Sequence, residues 1–388
     1  MDGLPSCAVT CFIQSLSASS CAATDNDCIC ADSALNQALE ACIFENCTIR
    51  EALTTRRLTQ TSCGESMHAP DNQFVILSTV FLVISMLCVL LRLAGRLVAS
   101  KLGWDDLMIA LASGAAIAIG VLAFPIHNAG LGTDFWNIPF ENITRTLYLF
   151  AIVVNLYPPT IALIKISMLL LYLRLFPSTT LRVAAITILT LTAIWGLVYT
   201  LINIFICNPR GYAWEQWDGE HEGLCMDQQA ILMSHAIINI VLDVVVIGLP
   251  LPTLLRLKLG RDKKVGVCVM FVIGILVTIL SILRLTTTMG FLKSTNPTRD
   301  FIPVCIWSVL EIDLGILCAC MPGIRACFRF IVHAVTGKSE ITEDSGENSE
   351  SRLNSKSKSF RLSTRRISLS LGRSGDFVTL DDMEGQRR

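Results

Sequence analysis

The amino-acid sequence predicts an all-α membrane protein: a seven-transmembrane helix bundle behind a small, disulfide-rich helical head. Three observations predict it. Of 388 residues, 52% are hydrophobic and 16% charged, against about 25% charge in an ordinary soluble domain. Apolar stretches that can cross a bilayer, which takes roughly 20 residues, recur seven times. Eight of the sixteen cysteines fall within the first 63 residues. A net charge of −1 gives no reason to expect a nucleic-acid partner.

The spans are read at 73–97, 105–127, 147–174, 183–206, 228–254, 265–290 and 301–321. Pro158 and Pro159 in the third, and Gly248 and Pro250 in the fifth, are tolerated in membrane helices and often kink them. Basic residues mark one side of the bundle: Arg92, Arg96 and Lys101; Arg174 and Arg182; Arg256, Lys258, Arg261, Lys263 and Lys264; Arg325 and Arg329. The opposite loops are poorer in them. The reading is a multi-pass plasma-membrane protein with lipid as a partner, the head extracellular and the tail cytoplasmic. Dense cysteines suit an oxidising exterior, which agrees. The expected domains are a head at 1–66, the bundle at 73–335 and a disordered tail at 336–388 rich in Ser, Glu and Arg. The start, Met1-Asp2-Gly3-Leu4-Pro5, lacks a basic and apolar leader. Either the first span exports the head or translation starts upstream.

In the head, Cys7 and Cys11 are four apart, and Cys42 and Cys47 five apart. On two antiparallel helices these could face each other as Cys7–Cys47 and Cys11–Cys42, leaving Cys21–Cys28 and Cys30–Cys63. Eight cysteines allow on the order of a hundred pairings, so spacing alone does not select this one. The run Pro5-Ser6-Cys7, Cys11, Cys21-Ala22-Ala23-Thr24-Asp25-Asn26-Asp27-Cys28-Ile29-Cys30, Cys42, Cys47 and Cys63 resembles a CFEM domain of fungal extracellular membrane proteins. In some soluble or wall-anchored relatives the aspartate matching Asp25 is an axial haem ligand. The resemblance therefore implies haem as a cofactor and Asp25 as its iron ligand. The alternative is that Asp25 caps a helix or turn. Asn46-Cys47-Thr48 is a formal glycosylation sequon with a bridged middle residue; Asn142-Ile143-Thr144 is the better candidate.

Charges inside spans are costly and usually face the bundle interior. They are Lys165, Asp243, Arg284, Glu311 and Asp313. At 1.5 Å per residue, Arg284 lies about 9 Å and Glu311 about 15 Å below the outer surface. Arg284–Glu311 and Lys165–Asp243 are the expected pairs, with Asp313 as an alternative partner. Either a ligand cavity with a switch lock or fixed structural pairs would account for them. His235 is read as a satisfied helix–helix contact. Cys207 and Cys225 flank an aromatic loop containing Trp214 and Trp217; a bridge there would make a stiff lid.

Further motifs arrive in order: Leu102-Gly103-Trp104-Asp105-Asp106; Lys165-Ile166-Ser167 with Leu171-Tyr172-Leu173-Arg174-Leu175-Phe176; Cys207-Asn208-Pro209 with Trp214 and Cys225; Asp243 with Leu249-Pro250; Ser281 with Arg284; Trp307 with Glu311; Met321-Pro322. Together they resemble the fungal rhodopsin-like integral membrane domain. Joined to a CFEM head, the architecture resembles the surface-sensing receptors of plant-pathogenic fungi. The resemblance implies a G-protein-coupled-receptor-like protein that senses an extracellular cue, signals to a heterotrimeric G protein, and serves infection or development. The alternative is a haem- or iron-handling surface protein anchored by the bundle.

The seventh span holds no lysine, so a retinal Schiff base there is excluded. An Asp-Arg-Tyr after the third span and an Asn-Pro-x-x-Tyr in the seventh are also missing. No nucleophile–base set, metal cluster or phosphate loop suggests an enzyme. In the tail, Arg365-Arg366-Ile367-Ser368 makes Ser368 a phosphorylation candidate, and Cys327 is an acylation candidate.

Overall fold

The structure, a computed structural model, describes residues 3–64, 72–98, 102–175, 178–252, 261–292, 294 and 296–336, with backbone alone at 261–267 and 324–336. Ser368, residues 256–260 of the basic loop, and the side chains of Arg261, Lys263, Lys264 and Cys327 lie outside what is described.

Four short helices build the head: α1 (Ser6–Leu16), α2 (Asn26–Ala31), α3 (Ser33–Asn46) and α4 (Ile49–Ser62). Side chains start three of them. Asp25 and Asp32 accept backbone N–H groups at the heads of α2 and α3. Thr48 and Glu51 form a reciprocal capping box on α4. The apolar core is small, built on Cys11, Leu39 and Ile43, and a core of that size needs covalent staples. They are Cys7–Cys47, Cys11–Cys42, Cys21–Cys28 and Cys30–Cys63.

Among the described residues, seven helices are long and apolar enough to cross a membrane. They belong to α5 (Gln73–Val98), α6 (Trp104–Asn128), α7 (Phe140–Leu175), α8 (Thr179–Ile204), α10 (Gln228–Gly248), α11 (Arg261–Phe291) and α13 (Ile302–Thr336). The short α9 (Tyr212–Glu215) lies between α8 and α10, and α12 (Pro297–Asp300) precedes α13. Hydropathy placed the third span at 147, but α7 begins at Phe140. Its first two turns are amphipathic and carry Glu141 and Arg145, so a hydropathy window misses them. Pro158 and Pro159 lie inside α7. This helix runs through the middle of the bundle, touching α6, α8, α10 and α13, while α13 also packs on α5 and α11. At the α7–α8 crossing a Cβ on Gly196 would collide with that of Ala162, so the small residue sets the close approach.

The head docks through α4 onto two loops of the bundle. Gln60 is buried; its Oε1 accepts from Trp136 Nε1 at 2.6 Å and Asn137 Nδ2 at 3.1 Å, and its Nε2 donates to Asp134 at 3.2 Å. Asn296 donates to Asp134 at 2.7 Å from the loop before α12. Arg50 lies 3.4 Å from both Asp218 and Glu220, with its guanidinium 5.6 Å over the Trp217 ring.

Candidate functional site

The site has a lid, a cavity and a floor. Cys207 and Cys225 are bonded across two strands of two residues each, β1 (Cys207–Asn208) and β2 (Leu224–Cys225). The bridged loop packs on the start of α7: Trp214 meets Tyr148 edge-on at 5.1 Å, and Trp217 stacks on Phe140 at 6.0 Å. Trp217 Nε1 donates to Thr144 Oγ1 at 2.9 Å. The same contact engages the Asn142 sequon, whose Asn142 is half-buried and whose Ile143 is buried on α7. Asn46 is the more exposed of the two sequon asparagines, and its amide donates to Cys42 O at 2.9 Å.

Beside the lid lies a cavity of about 660 Å³, with walls from α5, α6, α7, α8, α10, α11 and α13 that are mainly apolar and aromatic. Its polar lining includes Asn155, Asn203, His235, Arg284 and Ser308.

The floor is a buried polar network joining α7, α10, α11 and α13. Lys165 Nζ lies 2.5 Å from Asp243 Oδ1. Arg284 Nε lies 3.1 Å from Glu311 Oε2. The two expected pairs are one network, because neutral residues bridge them. Ser281 Oγ lies 2.9 Å from Asp243 Oδ2 and 2.8 Å from Glu311 Oε1. Asn239 Nδ2 donates to Glu311 Oε1 at 2.5 Å and to Asp243 Oδ2 at 3.4 Å. Tyr157 donates to Glu311 Oε2 at 2.8 Å. Formal charges of Lys165 and Arg284 cancel those of Asp243 and Glu311, which lets the network sit in a low-dielectric interior. A void of about 30 Å³ between Lys165, Asp243 and Glu311 has room for a water.

Arg284 belongs to both floor and cavity. Its Nε is close to Glu311 but off the hydrogen-bond line, and its Nη2 has no partner. Its guanidinium lies 4.9 Å over the Tyr157 ring. Asp313 is no partner to either cation; it accepts from Ser85 on α5 at 2.7 Å. One residue along the helix from Ile312 and two from Glu311, its side chain leaves on another face of α13. His235 corrects the satisfied-contact expectation. It stacks on Trp195 at 4.8 Å and meets Tyr199 at 5.0 Å, yet its Nε2 has no hydrogen-bond partner. Aromatic neighbours supply packing but no acceptor.

Sequence reasoning missed a second cluster. Arg92, read only as an orientation signal, is fully buried. Its Nη2 lies 2.7 Å from Asp105, its Nε 2.9 Å from Asp106, and its Nη1 donates to Ala319 O at 2.6 Å. Arg174 adds a contact to Asp105 at 3.2 Å. This ties α5, α6, α7 and α13 together. The Asp105-Asp106 motif was visible; its partner was not.

In the head, Asp25 Oδ1 accepts from Cys28 N–H at 3.1 Å as the cap of α2. The residue is exposed, so a second carboxylate oxygen remains for a ligand. That geometry fits a one-oxygen axial haem ligand as well as a cap. Among the described residues the one cluster of metal-ligand type is Cys7, Cys47 and Glu51, and its sulfurs are tied up in a disulfide.

Comparison with known proteins agrees with this architecture. The family model described as Fungal rhodopsin domain matches residues 91–330. The chain belongs to that family. A CFEM domain model matches residues 1–64. The chain is 32% identical over 179 residues to a SAT4 family membrane protein of Emericella nidulans, covering 45% of this chain and 44% of that one. It is 26% identical to Fugralins biosynthesis cluster protein 2 of Gibberella zeae, covering 66% of each. It is 23% identical to Receptor GIN3 of Arthrobotrys oligospora, over 65% of this chain and 61% of the relative. The chain thus spans less than two thirds of the length of each of these relatives. No solved structure matches it.

Proposed function

We propose that this protein is a cell-surface receptor, not an enzyme, that binds a cue under its bridged lid and signals across the membrane. One observation carries the reading: Arg284 both lines the cavity and contacts Glu311 in a charge network joining four helices. A ligand that competes for Arg284 loosens its hold on Glu311 and biases the packing of α11 against α13. Such a bias is a population shift between two bundle states. In this reading the head and lid face outside, the Arg92 cluster faces inside, and a heterotrimeric G protein reads that inner end. The distribution of Lys and Arg supports the orientation, and the similarity to Receptor GIN3 supports a receptor role. The test is a second-messenger assay in cells lacking the gene, complemented with wild type or Glu311→Ala at equal surface expression. The wild type restores a cue-dependent response and Glu311→Ala does not. An unchanged response in the variant removes the proposed lock.

A second reading, haem handling by the head, is supported by the exposed, cap-held carboxylate of Asp25. Bound haem would supply iron redox or cargo chemistry there. A Soret band on adding haemin, lost in Asp25→Ala, supports it; no band with the wild type removes it.

A further inference from the structure

We infer that the cavity takes an amphiphile with one carboxylate on an apolar tail, the carboxylate seated on Arg284. This deepens the receptor reading and rests on it. The volume, about 660 Å³, lies within the roughly 300–1,000 Å³ of small-molecule sites. The walls are apolar, which suits a tail. Their charge is one-sided: Arg284 and Arg210 line the cavity, and no Asp or Glu does among the described residues.

The state of Arg284 sharpens this. Its side chain is 3% exposed, and Nη2 is unpartnered. Tyr157, Asn239 and Ser281 approach both carboxylate oxygens of Glu311 as well, so a ligand can draw Arg284 away without leaving that carboxylate bare. A buried, unsatisfied guanidinium N–H is unfavourable. An incoming carboxylate relieves it through charge-assisted bonds that a planar fork can make in pairs. His235, whose ring lies 5.7 Å from that of Tyr157, brings a second unpartnered nitrogen to the same wall. A cationic ligand meets two guanidiniums, and a neutral one offers Nη2 only an uncharged, single-point acceptor. At the lid, exposed Arg210 stacks over Phe205 at 4.3 Å and can steer an anion inward.

The test uses the full chain in phosphatidylcholine nanodiscs, with dodecanoate and dodecanol as probes and titration calorimetry as readout. Dodecanoate is expected to bind at least about tenfold more tightly than dodecanol, the ratio of one charge-assisted contact. Arg284→Gln abolishes that preference, and Arg284→Lys keeps part of it. Ser308→Trp, which fills the cavity from α13, removes dodecanoate binding and serves if Arg284→Gln does not fold. Equal binding of acid and alcohol, a preference that survives Arg284→Gln, or acid binding that survives Ser308→Trp overturns the inference. Displacement of dodecanoate by phosphatidylglycerol in the disc also overturns it, by assigning the site to bilayer lipid. Arg284-dependent acid binding without any cellular response would sink the receptor reading and leave the site standing. A cue response without acid preference does the reverse.

Discussion

Replacing Lys165 by Met tests whether the floor network is held by charge balance. Lys165 is the cation nearest Asp243, at 2.5 Å, and donates to Asn239 O at 3.4 Å. Its loss leaves Asp243 and Glu311 with Arg284 as the one cation of the floor network. Removing one partner of a buried pair costs about 3–5 kcal/mol. Asp243 keeps Ser281 and Asn239 as neutral donors, so the lower end, about 3 kcal/mol, is expected. The second step is Asp243→Leu in the same chain. Ser281 still reaches Glu311 at 2.8 Å and Val277 O at 3.1 Å, and Asn239 still reaches Glu311. No donor is orphaned, so the double variant should recover most of the loss, as apolar replacements of buried pairs often do. The assay is thermal unfolding in nanodiscs, read with a thiol-reactive dye that reports exposure of buried Cys318 and Cys320. A double variant no more stable than Lys165→Met would refute the charge-balance reasoning and leave shape as the cause.

The Arg92 cluster should respond similarly. Arg92→Met costs about 3 kcal/mol, and Arg92→Lys recovers little because three acceptors need a fork; full recovery by Lys in the same melting assay would refute the fork argument. Opening the lid by Cys207→Ser with Cys225→Ser, 18 residues apart, should lower stability by about 3 kcal/mol and broaden the cavity's ligand selectivity. The loop that receives Arg50 of the head should depend on pH at both ends. Partial burial pushes Asp218 up, but the Glu220 N–H, His221 and Arg50 outweigh it and hold its carboxyl below the usual range. The hydrogen bond to Asp218 holds His221 above its ordinary value. The Asp218 contribution is therefore present above about pH 3.9 and lost as pH falls through its depressed value. That of His221 is complete below about pH 6.5 and lost as pH rises through its raised value. Trp217 emission against pH should show a plateau between these limits, and His221→Ala should remove the alkaline limb and move the acid limb to higher pH.

The seven spans and the head were legible in sequence because hydropathy and cysteine density are local properties of the chain. The pairs Lys165–Asp243 and Arg284–Glu311 were legible too, since a span admits few charges and these find opposites. The sequence alone determined which residues must find partners. Only the tertiary structure decided how. Ser281 and Asn239 merge two pairs into one network, Asp313 turns to Ser85, and Arg92 leaves the surface for Asp105 and Asp106. Polar Ser, Asn and Gln carry no charge to announce a buried role, so Gln60 and Asn239 looked ordinary. Whether such a side chain bridges two helices depends on their rotation and depth, which packing sets. The cavity beside Arg284 exists only in that packing, between helices distant in sequence.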